Sequence, residues 1–193
     1  MNVVAILLAA GSASRFGSDK LLHPLPHGVP IAIQAARHLK VVFEENVFVV
    51  VRPEAKELSD LFRRECCEVL VCEEADQGMG ASLACAVRAA GEAEGYLVAL
   101  ADMPFIRAST IAAVRDALAA GAPLVAPYFR ARRGHPVGLS SKFRNELEAL
   151  EGDEGARKII SANEKSLVKI PVGDPGVIRD IDTPGDLTPP VVV

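Results

Sequence analysis

The sequence predicts an α/β protein built on a mostly parallel sheet. Three observations carry this. Short runs rich in Val, Ile and Leu alternate with longer amphipathic segments along all 193 residues, the rhythm of strands joined by right-handed helical crossovers. The first run, Val3 to Ala9, is apolar without interruption, as for a strand buried on both faces. It stops at Gly11, and the ten residues from Gly11 to Lys20, mostly polar, small or basic, come before Leu21. A loop at the carboxyl end of a first strand is where doubly wound sheets receive nucleotides. A chain of this length buries a full core, so 1–193 reads as a single domain.

Each element has its own signal. After the loop, Pro24 and Pro26 hold the chain extended or turned. Pro30 suits the first turn of a helix through Ile33, Ala36 and His38 to Lys40. Val47 to Val51 reads as a second buried strand, and Pro53 opens a helix with Leu58, Leu61 and Phe62 on one face. Cys67 to Cys72 is a short third strand. Gly78-Met79-Gly80 reads as a loop before a small-residue helix, Ala81 to Ala90, closed by Gly91. Tyr96 to Ala101 is a fourth strand, Thr110 to Ala120 a helix, and Leu124 to Phe129 a fifth strand. Helices come next over Ser140 to Leu150 and Asp153 to Ala162, with Asp153 as N-cap. Leu167 to Val172 is the last strand.

Composition narrows the partners. A net charge of −4 gives no electrostatic case for nucleic acid. The opening MNVVAILLAAG lacks a basic leader and is too short to span a bilayer, so a cytoplasmic protein without membrane contact is expected. Cys66, Cys67, Cys72 and Cys85 form no C-x-x-C. They read as buried or half-buried thiols rather than a metal site. His23, His27 and His38 read as surface or satisfied histidines.

The stretch Leu7 to Leu22, LLAAGSASRFGSDKLL, suits an anion. Gly11 and Gly17 let amide groups converge on phosphate oxygens. Arg15 can hold two oxygens with its planar fork, and Lys20 adds a mobile charge. The spacing fits neither G-x-x-x-x-G-K-[ST] nor G-x-G-x-x-G, and an ordinary polar loop has the same composition. A second signal is Asp102, which comes directly after an apolar strand and precedes Met103-Pro104. A carboxylate at that edge suits Mg²⁺ on phosphates, although a turn Asp before Pro looks the same. The third signal is Asp180-Ile181-Asp182-Thr183-Pro184, where the two acids share one face of an extended segment. Asp182 or Thr183 could equally cap a short helix at Pro184. A fourth is Gly78-Met79-Gly80-Ala81-Ser82, and a fifth the basic run RARRGHPV from Arg130 to Val137.

Together these segments resemble the nucleotidyltransferases of the molybdenum cofactor cytidylyltransferase and guanylyltransferase type. The pattern L-A-A-G-x-x-x-R-x-G-x-x-K-L matches at Leu8, Ala9, Ala10, Gly11, Arg15, Gly17 and Lys20, with Ser12 and Ser14 as common companions. The family more often has Met at the position of Phe16. D-M-P, G-H-P-V, G-D-x-G-A-R and D-[IV]-[DN]-T-P-x-D-L also match, so the resemblance covers nearly the whole chain. It implies a Rossmann-like three-layer α/β/α sandwich. It implies a nucleoside triphosphate held by Leu8 to Ser12, Arg15 and Lys20, with Gly78, Gly80 and Ser82 bordering the base. Arg15, Lys20 and Asp102 would be the catalytic groups, and Asp102 and Asp182 the Mg²⁺ ligands. Arg133, Gly134, His135 and Arg157 would face the acceptor, and His135 also fits a structural role.

The implied reaction is transfer of a nucleoside monophosphate onto the terminal phosphate of the molybdopterin–molybdenum cofactor, with release of pyrophosphate. Ala10 in place of a second glycine leaves less room for guanine, which favours CTP. A molybdenum hydroxylase or its chaperone is the implied transient partner. Guanylyl, phospholactate guanylyl or sugar-phosphate transfer would use the same parts. A non-catalytic carrier of the cofactor would keep the fold without needing two metal carboxylates.

Overall fold

A computed structural model describes residues 2–11 and 20–189. Among the described residues, eight strands form one sheet: β1 (Val3–Leu8), β2 (Val47–Val51), β3 (Glu68–Val71), β4 (Gly95–Leu100), β5 (Leu124–Phe129), β6 (Arg132–Arg133), β7 (Val137–Ser140) and β8 (Leu167–Pro171). Their order is β3-β2-β1-β4-β7-β5-β6, with β8 paired to β5. The β3-β2, β2-β1, β1-β4 and β5-β8 pairs are parallel. Only the pairs made by β7 and β6 are antiparallel. This is the expected mostly parallel, Rossmann-like sheet.

The α-helices among the described residues cover it: α1 (Ile31–Phe43), α2 (Lys56–Arg64), α3 (Met79–Ala89), α4 (Ala108–Ala119), α5 (Arg144–Glu148) and α6 (Arg157–Ala162). Strand β1 shows why there are three layers. Val3, Ala5 and Leu7 join one core with Leu39 of α1, Phe62 of α2 and Val114 of α4. Val4, Ile6 and Leu8 join the other with Leu83 of α3, Leu147 of α5 and Ile160 of α6. Successive side chains point to opposite faces, so an unbroken apolar run feeds two cores at once. Among the described residues, no helix is long and apolar enough to cross a membrane.

Several expected elements shift. Pro53 sits in a turn, and α2 begins three residues later, at Lys56. Met79 and Gly80 belong to α3 instead of a loop. The expected helix from Ser140 is a 3₁₀ turn, Ser141–Phe143, and then the short α5. Asp153 does not cap α6, whose N-cap is Ala156. The basic run forms a hairpin, β5-β6, whose turn residues Arg130 and Ala131 have φ of 47° and 63°. That run then continues into β7, a strand inserted between β4 and β5. Cys66 is exposed, Cys67 and Cys72 are buried and Cys85 lies between. Burial pushes the Cys67 and Cys85 thiols up to about 11.

Candidate active site

Three central strands end in register. Leu8 lies opposite Val50 on one side and Leu100 on the other. Ala9 N–H donates to the Val50 carbonyl, and Ala101 N–H donates to that of Leu8. The residues just past each strand end therefore meet at one edge: Ala10 and Gly11, Arg52, and Asp102. With Lys20, Gly78, Met79, Ser82 and Asp153 they line a cleft of about 330 Å³. The Gly11 site is open, and a β-carbon there would meet nothing within 4 Å. Ser12 and Arg15 lie outside the described residues, as do Ser14 and Gly17.

The carboxyl-terminal segment reaches the same edge by a backbone bond. Ile181 N–H donates to the Asp102 carbonyl at 2.9 Å, and the Ile181 side chain is fully buried. An inward Ile turns the residues on either side outward. Carboxylate oxygens of Asp102, Asp180 and Asp182 all lie within 4.8 Å of one another. The helix-capping alternative belongs to the next residue: Thr183 donates from its N–H and its Oγ1 to Asp186 at 2.9 and 2.7 Å. Asp182 is left to the cluster.

Lys20 is the counter-charge. Its Nζ lies 2.9 Å from Asp102 Oδ2 and 3.3 Å from Asp182 Oδ1, with only 13% of the side chain exposed. Burial works against its charge, but the charges and hydrogen bonds of Asp102 and Asp182 outweigh it and lift the ammonium above its ordinary pKa. Asp102 is also raised: burial is the main cause, Lys20 pulls it back, and Asp180 adds repulsion. Hard, clustered oxygen donors are the set that Mg²⁺ or Mn²⁺ takes.

The glycines expected to border the base also serve packing. A β-carbon at Gly80 would lie 2.7 Å from the Glu151 carbonyl oxygen, and one at Gly78 would lie 2.5 Å from the backbone of Gly152. Gly80 N–H donates to the Gly152 carbonyl at 2.6 Å. The two glycines thus let the start of α3 dock on residues 151–153, and Gly78 still borders the cleft. Ser82 is buried beside it and donates from Oγ to the Gly78 carbonyl at 3.3 Å.

The residues expected on the acceptor side divide. Gly134 would strike the Val177 carbonyl oxygen if it had a β-carbon, and His135 N–H donates to the same carbonyl. Burial lowers the His135 pKa to about 4, and Arg133 adds to this; Asp180 acts in the opposite sense. His135 is therefore a neutral ring on the Asp180 side of the cluster. Arg133 is exposed on β6. Arg157 stands at the first turn of α6, in a hollow of about 430 Å³ with Asp153, Glu154, Lys158 and Ser161. Asp153 lines both this hollow and the cleft.

Sequence reasoning passes over three groups. Arg52 lines the cleft and donates from Nε to the Ala10 carbonyl at 2.5 Å; its signal is a cation directly after a buried strand. Asp153 looks like a cap in the sequence yet lines the cleft. Asp180 stands beside Asp182 in the motif with no role of its own. A second hollow, about 400 Å³, lies beyond Pro104 and Phe105. There Gln34 joins His27 at 3.0 Å and His38 at 2.8 Å. Asp174, at its margin, is consumed structurally, accepting from Arg107 N–H, Thr110 Oγ1 and Gly176 N–H.

Similarity to known proteins points the same way. Residues 5–167 match the MobA-like NTP transferase domain. Purine catabolism protein PucB of Bacillus subtilis is 29% identical over 195 residues, 94% of this chain and 92% of that protein. Nicotine blue oxidoreductase of Paenarthrobacter nicotinovorans is 28% identical, with the same coverage. Among solved structures, Rv0371c from Mycobacterium tuberculosis superposes with a TM-score of 0.83 at 24% identity, over 96% of this chain and 94% of that one. The same protein is known in complex with manganese, with a TM-score of 0.79 at 23% identity over 96% of both chains. Molybdopterin-guanine dinucleotide biosynthesis protein A from Archaeoglobus fulgidus gives 0.68 at 21% identity, over 95% and 94%.

Proposed function

The chain belongs to the family of MobA-like NTP transferase domains and is a nucleotidyltransferase of that type; we propose that it moves CMP from CTP onto the terminal phosphate of the molybdopterin–molybdenum cofactor. The observation that carries this reading is the meeting of Lys20, Asp102 and Asp182 at the edge where Gly11 opens the cleft. In this reading the domain spans 1–193, works in the cytoplasm and hands its product to a molybdenum hydroxylase or its chaperone. The guanine dinucleotide protein of Archaeoglobus supports a molybdopterin acceptor, and the manganese complex of Rv0371c supports a divalent cation.

The triphosphate lies along Leu8 to Ser12, held by the amides after β1 and by Arg15 and Lys20. Ala10, Gly78, Gly80 and Ser82 shape the base side. Asp102 and Asp182, joined by Asp180, would hold Mg²⁺. When bound, that cation neutralises phosphate charge and aligns the reacting oxygens. Arg133, Gly134 and His135 face the acceptor, whose phosphate is already an anion and needs no base. Arg157 supports the wall behind Asp153. An acceptor phosphate oxygen forms the new bond to the α-phosphorus as the bond from that phosphorus to the β-phosphate oxygen breaks. Lys20 and Arg15 take up the charge growing on pyrophosphate. Positioning and fixed charge supply the rate, as in phosphoryl transfer.

The test is pyrophosphate release with Mg²⁺ and the molybdenum cofactor, offering CTP, GTP, ATP and UTP separately. Release with CTP is expected, and Asp102→Ala lowers it by about a hundredfold or more with the fold retained. Release with GTP alone replaces cytidylyl by guanylyl transfer. An Asp102→Ala protein as fast as the parent overturns the reading.

A further inference from the structure

We propose that Lys20 is a latch on the carboxylate cluster: without nucleotide its ammonium stands in for the divalent cation, and nucleotide must draw it off before the cation settles. The proposal rests on the nucleotidyl-transfer reading and adds an order of binding to it. The ammonium bridges Asp102 and Asp182 at 2.9 and 3.3 Å. Those two carboxylates and Asp180 form the one group of metal-capable side chains among the described residues, their oxygens within 4.8 Å. A cation bound there at ordinary Mg²⁺–oxygen distances, about 2.1 Å, would stand against the ammonium in a half-buried setting. The two positive groups exclude one another.

The latch has somewhere to go. Lys20 lines the cleft together with Gly11, and a triphosphate placed there supplies the anionic oxygens that the ammonium gives up. A lysine carries a compact charge on a four-carbon stem, free to swing between partners. Its base stays put, because Lys20 opens the 3₁₀ turn Lys20–Leu22, whose Leu21 is buried. Arg52, among the described residues the other cation lining the cleft, is held by the Ala10 carbonyl, whereas the Lys20 ammonium sits on the carboxylates themselves. The consequence is linkage: nucleotide raises metal affinity, and metal raises nucleotide affinity by the same factor. Free metal alone binds poorly, which keeps an unloaded site from trapping it.

The experiment is Mn²⁺ binding to the full chain without nucleotide, monitored by electron paramagnetic resonance, for the parent, Lys20→Met and Asp102→Asn. Lys20→Met is expected to bind Mn²⁺ roughly tenfold more tightly than the parent, and Asp102→Asn to lose binding. Mg²⁺ added to the parent at concentrations high enough to overcome this weak binding should also move the ¹³Cε resonance of Lys20, which separates displacement from the mere loss of a charge. An unchanged Mn²⁺ affinity in Lys20→Met, or a Lys20 signal that stays fixed while Mg²⁺ binds, overturns the latch. Pyrophosphate release by the parent with no gain in Lys20→Met overturns the latch alone. A gain in a chain that releases no pyrophosphate sustains the latch and overturns the transferase reading.

Discussion

His135 shows how a single side chain can mark the acid limit of this protein. Its ring pKa falls from 6.5 to about 4, chiefly through burial, and its Nδ1 is buried without a partner. Above pH 6.5 the ring is neutral in both folded and unfolded chains, and no stability rests on it. As pH falls below 6.5 the unfolded chain takes a proton that the folded one refuses. Stability therefore drops from pH 6.5 down to about 4, by about 3 kcal/mol for this group. Urea unfolding at neutral pH and near pH 4 measures the drop, and His135→Gln should remove that share of it. Glycines make the second contrast. Gly11→Ala should leave stability within about 1 kcal/mol, since its β-carbon meets nothing; in the transferase reading it weakens nucleotide binding. Gly80→Ala should cost about 2–3 kcal/mol, since its β-carbon meets backbone. Thermal melts beside nucleotide titrations distinguish the two. Gly11 is readable from local pattern. The partner of Gly80, seventy-odd residues later in the chain, is not.

At the scale of elements, the strands feeding the site are legible because a strand buried on both faces writes itself as an unbroken Val, Ile and Leu run. Runs such as Val47 to Val51 keep their bounds. The hairpin β5-β6 and strand β7 are hidden for the converse reason. Arg132 and Arg133 are exposed on a two-residue strand, and Val137–Ser140 is too short to show a period. Their turn also lacks the usual Asn-Gly signal, since Arg130 and Ala131 both adopt positive φ. L-residues bear a cost in that conformation that glycine escapes. Ala131→Gly should stabilise the protein by about 0.5–1 kcal/mol, after the extra freedom of glycine in the unfolded chain is counted. A rise in the urea midpoint with an unchanged slope would show it.

At the scale of the molecule, the last fifteen or so described residues act as a strap across the sheet edge. Asp174 fastens it to the start of α4, and Val177 and Ile181 are fully buried in the core shared with β1. Burying two such side chains contributes about 3–6 kcal/mol. A chain ending at Val172 should melt lower by on the order of 10 °C, a drop that circular dichroism would measure. It should also lose metal binding, because Asp180 and Asp182 leave with the strap. The reversed direction of β7 decides what reaches the edge where Asp102 stands. In a wholly parallel sheet, the start of a strand lies at the edge away from its neighbours' carboxyl ends. Because β7 runs antiparallel to β4, the residues just before it, Gly134 and His135, arrive at the same edge as Asp102. Segments that precede Asp102 in the chain, such as Gly11 and Arg52, and segments that follow it, such as His135 and Asp182, therefore converge on one carboxylate. In the proposed reading, substitutions in the later segments can alter the acceptor while leaving the hold on the triphosphate as it was.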